Sequence, residues 1–154
     1  MADRTPDGIL KCDWNQLQEL VTDYVNDELG SDASEEESIR SSILNYIDML
    51  LSKYGKLPSL LATRADYVRT DREAVQLLEE AYQISENLGD CRNKTFISSS
   101  LAESYYTKIK DAEKGVYWTD KLSVDLEFYY DEDEYEVWQE LKGEQNQNGV
   151  RRKI

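Results

Sequence analysis

The segment from residue 126 to residue 141, LEFYYDEDEYEVWQEL, contains seven carboxylates and five aromatic rings but no basic residue. Ionised carboxylates at this density repel one another, and like charges one helical turn apart destabilise a helix. Carboxylates are complementary to the Lys and Arg side chains of a partner, and aromatic rings supply contact area at low entropic cost. These residue types therefore favour non-covalent binding of a positively charged protein.

We predict a partner-binding surface built from this segment and from an upstream helix. Its members are Asp131, Asp133, Glu134, Glu136, Tyr135, Trp138, Glu103 and Tyr106. The alternative is a solvated amphipathic helix whose acids face water. Its buried stripe would consist of Leu126, Tyr130, Val137 and Leu141. The four consecutive acids at 131–134 predict either a break between two short helices or an exposed first turn, where acids are favourable.

The overall charge limits which partners the chain can bind. Its 154 residues include 32 acidic and 18 basic side chains, so the formal net charge is −14. This charge repels phosphate backbones and anionic lipid surfaces, and we expect no nucleic-acid partner and no membrane partner. It either accelerates encounter with a basic protein or serves only solubility. The N-terminal sequence MADRTPDGILKCDW lacks the apolar stretch of a signal peptide, so we expect a cytoplasmic protein.

Residue types that carry catalysis and metal binding are scarce. The chain has no histidine, which removes the commonest general base and the usual Ser-His and Cys-His pairs. Its two cysteines, Cys12 and Cys91, are far apart in sequence and do not form a metal-binding motif. The seven glycines are dispersed, without a phosphate-binding loop. We therefore predict no catalytic residues, no metal, no cofactor and no enzymatic activity.

The parts of the chain that would position the acidic segment show the periodicity of α-helices. Apolar residues recur at spacings of three and four, and no alternating segment bounded by hairpin turns predicts a strand. We predict an all-α fold of antiparallel helical hairpins with about six to eight helices. It would form a single domain over residues 1–142, followed by a polar, flexible tail over 143–154. The boundary signals are Asp13, Gly30, Ser34 with Glu37, Gly55 with Pro58, Thr70 or Asp71, and Gly89 with Asp90.

The middle of the chain contains two similar helix–turn–helix segments, LLATRADYVRTDREAVQLLEEAY and SSLAESYYTKIKDAEKGVYWTDKLS. Each has a helix that ends in tyrosine, a short polar turn and a return helix that opens with a small residue, Ala74 or Gly115. The small residue lets two helices approach closely, and the aromatic ring fills the space between the hairpins.

These segments, over residues 58–124, resemble the tetratricopeptide repeat. The matching positions are Leu101, Ala102 and Tyr105 in a first helix, with alanine in place of glycine, and Ala74, Leu78 and Ala81 in a second helix. Thr63 and Arg64 depart from the pattern, which has leucine and glycine there, and the proline that ends the second helix is missing. The alternative is an unrelated helical bundle with coincidental spacing.

The resemblance implies a stack of hairpins whose first helices line a concave face for a peptide or a partner segment. On that face would lie Arg64, Asn93, Ser99, Glu103 and Tyr106.

In size, charge and scaffold the chain is similar to immunity proteins of bacterial polymorphic-toxin and contact-dependent-inhibition systems. This similarity implies a stoichiometric inhibitor of a basic toxin, with a nuclease as the favoured target. Two alternatives stay open. A tetratricopeptide-type adaptor or secretion chaperone would line its concave groove with polar and basic residues. An enzyme or substrate-binding helical bundle would have a deep pocket with strongly shifted carboxylates.

Overall fold

A computed structural model describes residues 3–27 and 33–152, and this part of the chain is all-α, as predicted. It contains seven α-helices, and α5 continues directly into a π-helical segment. The α-helices are α1 (Lys11–Asp27), α2 (Ala33–Tyr54), α3 (Pro58–Ala65), α4 (Asp71–Leu88), α5 (Cys91–Glu103), α6 (Ala112–Phe128) and α7 (Glu132–Arg152), and the π-helical segment is Ser104–Ile109. Within the described ranges no helix is both long and apolar enough to span a membrane.

Several helices end where local signals predict. Gly55, with φ of +83°, follows the last residue of α2, and Pro58 is the first residue of α3. The Thr70 hydroxyl accepts a hydrogen bond from the backbone N–H of Glu73 at 3.1 Å, so Thr70 caps α4. Gly89 ends α4 in the left-handed conformation, with φ of +68°.

The prediction for the first helix cap is wrong. Helix α1 begins at Lys11, and Asp13 lies in its first turn. The Asp13 carboxylate instead accepts hydrogen bonds from Tyr54 Oη at 2.5 Å and from Lys53 Nζ at 2.8 Å, which joins α1 to the end of α2. The hydrogen bond from Lys53, followed by that from Tyr54, lowers the pKa of Asp13.

The start of α2 also differs from the prediction. Ser34 lies inside α2, which begins at Ala33, and is therefore not its N-cap. The predicted stop at Gly30 falls outside the described residues.

The chain divides into two compact units, residues 1–68 and residues 69–154. In the first unit, α2 packs against α1 and α3. Its core consists of Ile9, Leu17, Ile43, Ile47, Leu50 and Leu60, all fully buried. The single domain predicted for 1–142 stays a prediction. So does the flexible tail over 143–154, where the backbone of α7 continues to Arg152.

In the second unit, α5 packs against α4, α6 and α7. Successive helices are antiparallel: Tyr105 Oη on the π-helical segment donates to Glu79 of α4, and the backbone of Tyr129, just after α6, accepts from Thr95 of α5. The buried side chains that these helices share include Val75, Leu78, Ala81, Tyr82, Ile97, Leu101, Ala102, Trp118, Leu122 and Leu141. Helices α5 and α6 thus form a hairpin with α4 and α7 packed against it.

The hairpin of α5 and α6 contains a close contact between the small residue Gly115 and an aromatic ring of the same hairpin, whereas the aromatic was predicted to lie between hairpins. A Cβ atom placed on Gly115 would lie 2.5 Å from Cδ2 of Tyr106, so only glycine fits against this ring. The two helices of the first predicted repeat segment, α3 and α4, fall in different units. Stacked helices are present within the second unit, and the tetratricopeptide assignment itself stays a hypothesis.

We expect Gly115→Ala to destabilise the protein although alanine has the higher helix propensity. The added methyl group would force the Tyr106 ring out of place, and such overpacking costs about 1–3 kcal/mol. Gly143→Ala is the matched control, since no atom lies within 4 Å of the added Cβ and only the propensity gain remains. Urea denaturation should show a lower free energy of unfolding for Gly115→Ala than for Gly143→Ala. Equal stabilisation by both substitutions would contradict the contact.

We expect Leu78→Asp to lower the free energy of unfolding by about 3 kcal/mol or more, because it places a carboxylate among apolar side chains. Leu78 is 6% exposed in the core of the second unit. Gln76→Asp, at an exposed position of the same helix, is the control. Thermal melting monitored by circular dichroism would separate the two variants, and a wild-type melting temperature for Leu78→Asp would place this residue outside the core.

Candidate functional site

The acidic segment spans a corner between two helices. Helix α6 ends at Phe128, and α7 begins at Glu132. Asp131 lies just before α7, and its Oδ1 accepts a hydrogen bond from the backbone N–H of Glu134 at 3.2 Å. The segment therefore has both predicted features, a break and an acidic first turn. The positive end of the helix dipole stabilises the acids placed there.

The acids of this corner differ in exposure. Asp133 and Glu136 are exposed, whereas Glu134 is half-buried and hydrogen-bonded to the buried Ser99 of α5. Glu103, also on α5, lies close enough to interact electrostatically with Glu134. The structure thus brings together two acids that are separated by 31 positions in sequence and that were both predicted to bind a partner.

Glu134 is the most perturbed of these acids. Burial raises its pKa, and the negative charges of Asp131, Asp133 and Glu103 add to this effect. The hydrogen bond from Ser99 acts in the opposite direction. The fold therefore holds Glu134 in a position where ionisation is unfavourable.

The aromatic side chains of the corner form a continuous row, which we call the ring wall and define as Tyr130, Tyr135 and Trp138. The Tyr130 and Tyr135 ring centroids are 5.7 Å apart, and Tyr135 stacks on Trp138 at 5.7 Å with an interplanar angle of 21°. Trp138 Nε1 is enclosed and has no hydrogen-bond acceptor among the described residues.

The predicted buried stripe is correct only in part. Leu126 and Leu141 are buried, and Val137 is half-buried. Tyr130, however, is 61% exposed, because the helix break moves it out of register with α7. The stripe was laid out on one continuous helix, so it could not predict the exposure of a residue that lies in a helix break.

A cavity of about 260 Å³ lies between α6 and α7 beside the ring wall. Its lining consists of the ring wall together with Ser123, Leu126 and Glu127. Glu127 was not among the predicted site residues, although it belongs to the acidic segment. Its side chain lines the same cavity as the three rings.

Tyr106, the other predicted site residue on this side, makes a contact with a different helix from Glu103. Its ring packs against Gly115 of α6, whereas Glu103 lies next to Glu134 of α7. The two predicted site residues on the α5 side therefore belong to different contacts.

The face of α5 predicted to line a peptide groove is partly covered. Ser99 is 1% exposed and hydrogen-bonded to Glu134, and Asn93 is 8% exposed with its amide bonded to Asp90 at 2.6 Å. Neither side chain is exposed to a peptide, and Ser99 is bonded to α7. Two of the five residues predicted to line the groove of an adaptor are therefore buried.

A second cavity, of about 400 Å³, lies beside a buried carboxylate that sequence analysis did not single out. Asp125 is 3% exposed, accepts a hydrogen bond from Tyr82 Oη at 2.9 Å and pairs with Lys94 at 3.7 Å. Burial, followed by the charge of Asp125, raises the pKa of Tyr82, so this phenol is a hydrogen-bond donor throughout the physiological range. The polar groups of Asp125 are therefore satisfied within the protein.

An exposed apolar stripe on α6 was also missed by sequence analysis. Tyr117, Val124 and Phe128 are 54%, 52% and 72% exposed, and their spacing places them on one side of the helix. Lys121, which lies between them in sequence, covers the Tyr117 ring at 5.6 Å. The stripe adds exposed apolar area near the acidic corner.

In the described ranges, no group of three or more Cys, Asp or Glu side chains is arranged to hold a metal ion. Comparisons of the chain with protein-family models, with curated proteins and with solved structures find no match. The site must therefore be interpreted from its own geometry and charge.

We expect Glu134→Gln to stabilise the protein at neutral pH. A carboxyl with a raised pKa in the folded state contributes stability that is complete below its ordinary pKa of 4.5 and is lost as the pH rises through the folded value. The neutral amide avoids that loss and still accepts a hydrogen bond from Ser99. Melting temperatures should differ most at pH 7, and the difference should narrow steadily towards pH 4. A difference in melting temperature between Glu134→Gln and the wild type that stays constant from pH 4 to pH 7 would refute the interpretation.

Proposed function

We propose that this protein is a stoichiometric binder that captures a basic protein through the acidic face of α7, which we define as Glu132, Asp133, Glu136 and Glu140. The observation that supports this function is the presence of exposed carboxylates of one sign beside the ring wall. Among the described residues, Asp133, Glu136 and Glu140 form no ion pair. A basic partner would supply the missing cations.

The spacing of these acids is unfavourable in the free protein. Glu132, Glu136 and Glu140 follow one another at intervals of four residues, so their carboxylates are neighbours on the helix surface. Each like-charged pair at this spacing costs about 0.2–0.5 kcal/mol. Lys and Arg side chains of a partner would turn this repulsion into attraction, which favours binding as the function of the acidic face.

The partner class that best fits the charge is a cationic toxin. Nucleases bind phosphate backbones with clusters of Lys and Arg, and a protein with a net charge of −14 is complementary to such clusters. A bound acidic protein would cover the active site or block substrate access beside it. The finer proposal is therefore an immunity protein that neutralises a basic bacterial toxin, with a nuclease as its target.

The test uses two charge-reversed variants with the same net charge. Asp133→Lys/Glu136→Lys changes the acidic face, and Glu19→Lys/Asp23→Lys changes exposed acids of α1 in the first unit. We expect affinity capture from the native cell to enrich a basic protein on the wild type and on the α1 variant. With that purified partner, the α7 variant should bind at least about tenfold more weakly, because close charge pairs contribute about 1.5 kcal/mol or more.

Binding of the wild type should also weaken as salt is raised, since exposed charges are screened over about 8 Å at physiological ionic strength. Melting temperatures of both variants would establish that they remain folded. If the partner is acidic, or if the two variants bind it equally well, the acidic face is only a solvated helix surface.

A further inference from the structure

Lysine and arginine side chains cover some of the aromatic rings in the described part of the chain and leave others uncovered. Lys53 lies over Tyr54, Arg92 over Phe96, Lys114 over Tyr105, and Lys94 and Lys121 over Tyr82. No described cation lies over Tyr130, Tyr135 or Trp138. The nearest basic residue along α7, Lys142, is paired with Asp120 at 3.4 Å.

The cavity beside the ring wall has the composition of a cation site. The negative faces of aromatic rings attract a cation, and Glu127 adds a full negative charge to the same lining. None of the lining residues is basic. An anionic group would be repelled by Glu127, and an apolar group would make no use of its charge.

The geometry of the wall favours a flat cation over a compact one. Tyr135 and Trp138 are nearly parallel, with an interplanar angle of 21°. A planar guanidinium can stack on such a surface and still present two N–H groups to one carboxylate, whereas an ammonium is a point charge with a strongly bound hydration shell.

We propose that the cavity receives a single arginine side chain of the basic partner, stacked on the ring wall and paired with Glu127. This inference rests on the proposed function and adds the residue type that is recognised. A desolvated cation over aromatic rings contributes up to about 2 kcal/mol, so one arginine in this cavity would be a principal determinant of affinity.

The experiment uses Nα-acetyl-arginine methylamide as the probe and the citrulline analogue as its neutral control of the same shape. The full-length ¹⁵N-labelled protein is titrated while the indole N–H resonances of its three tryptophans are recorded. We expect the arginine probe to shift the Trp138 resonance saturably and the citrulline analogue to bind at least about threefold more weakly, as the loss of a cation–π contact requires. The lysine analogue should fall between them.

Two substitutions at exposed positions test the lining without disturbing the core. Glu127→Gln and Tyr130→Leu should each weaken binding of the arginine probe about threefold or more. Tyr117→Leu, an exposed aromatic residue outside the cavity, should leave it unchanged. Equal binding of the arginine and citrulline probes, or equal binding by Glu127→Gln and the wild type, would overturn the proposal.

The outcomes also separate this inference from the proposed function. If the basic partner binds through the acidic face but the arginine probe does not shift Trp138, the arginine site is wrong and the function stands. If the probe binds as expected but reversal of Asp133 and Glu136 leaves partner binding unchanged, the cavity recognises a cation and the acidic face does not capture the partner.

Discussion

The position of the candidate site depends on one buried hydroxyl group. Thr95 of α5 is fully buried, and its Oγ1 lies 2.9 Å from the carbonyl oxygen of Tyr129 and 3.2 Å from that of Asp125. The carbonyl of Asp125 also accepts the backbone N–H of Tyr129 at 2.9 Å, and Tyr129 is the first residue after α6. The hydroxyl therefore holds α6 at the point where it ends. The break and the acidic first turn of α7 follow from that end.

The second unit contains two kinds of acidic residue near this corner, one that is buried and paired and several that lie at the surface. Asp125 is buried and satisfied by Tyr82 and Lys94, so its charge contributes to the order of the interior. The acids of α7 are kept at the surface with few partners, and Glu134 is held against Glu103. Repulsion of this kind lowers stability, and natural surfaces reduce it by mixing charge signs. On α7 these acids lie beside three aromatic rings.

The sequence predicts those features that depend on neighbouring residues. Gly55, Thr70 and Gly89 mark helix ends because a left-handed residue or a capping hydroxyl acts within one turn. Acids at the start of α7 were predictable for the same reason. The all-α class follows from the apolar period, which is a local property as well.

Features that depend on tertiary contacts could not be predicted in this way. Asp13 is a good N-cap by type, yet Tyr54 and Lys53, about forty positions away, bind its carboxylate. Ser99 is polar and seemed exposed until α7 covered it. Tyr130 lies in the break between α6 and α7, and Glu127 joins it only because α6 packs against α7. In each case the deciding partner lies on another helix.

The π-helical segment at the end of α5 has a consequence for the register of the hairpin. Its hydrogen bonds span five residues instead of four, which is equivalent to one extra residue in an otherwise regular helix. In this segment the neighbours Tyr105 and Tyr106 contact different helices, Glu79 of α4 for one and Gly115 of α6 for the other. The extra residue also shifts the register of the side chains, so the helical periods before and after the segment are not continuous with each other.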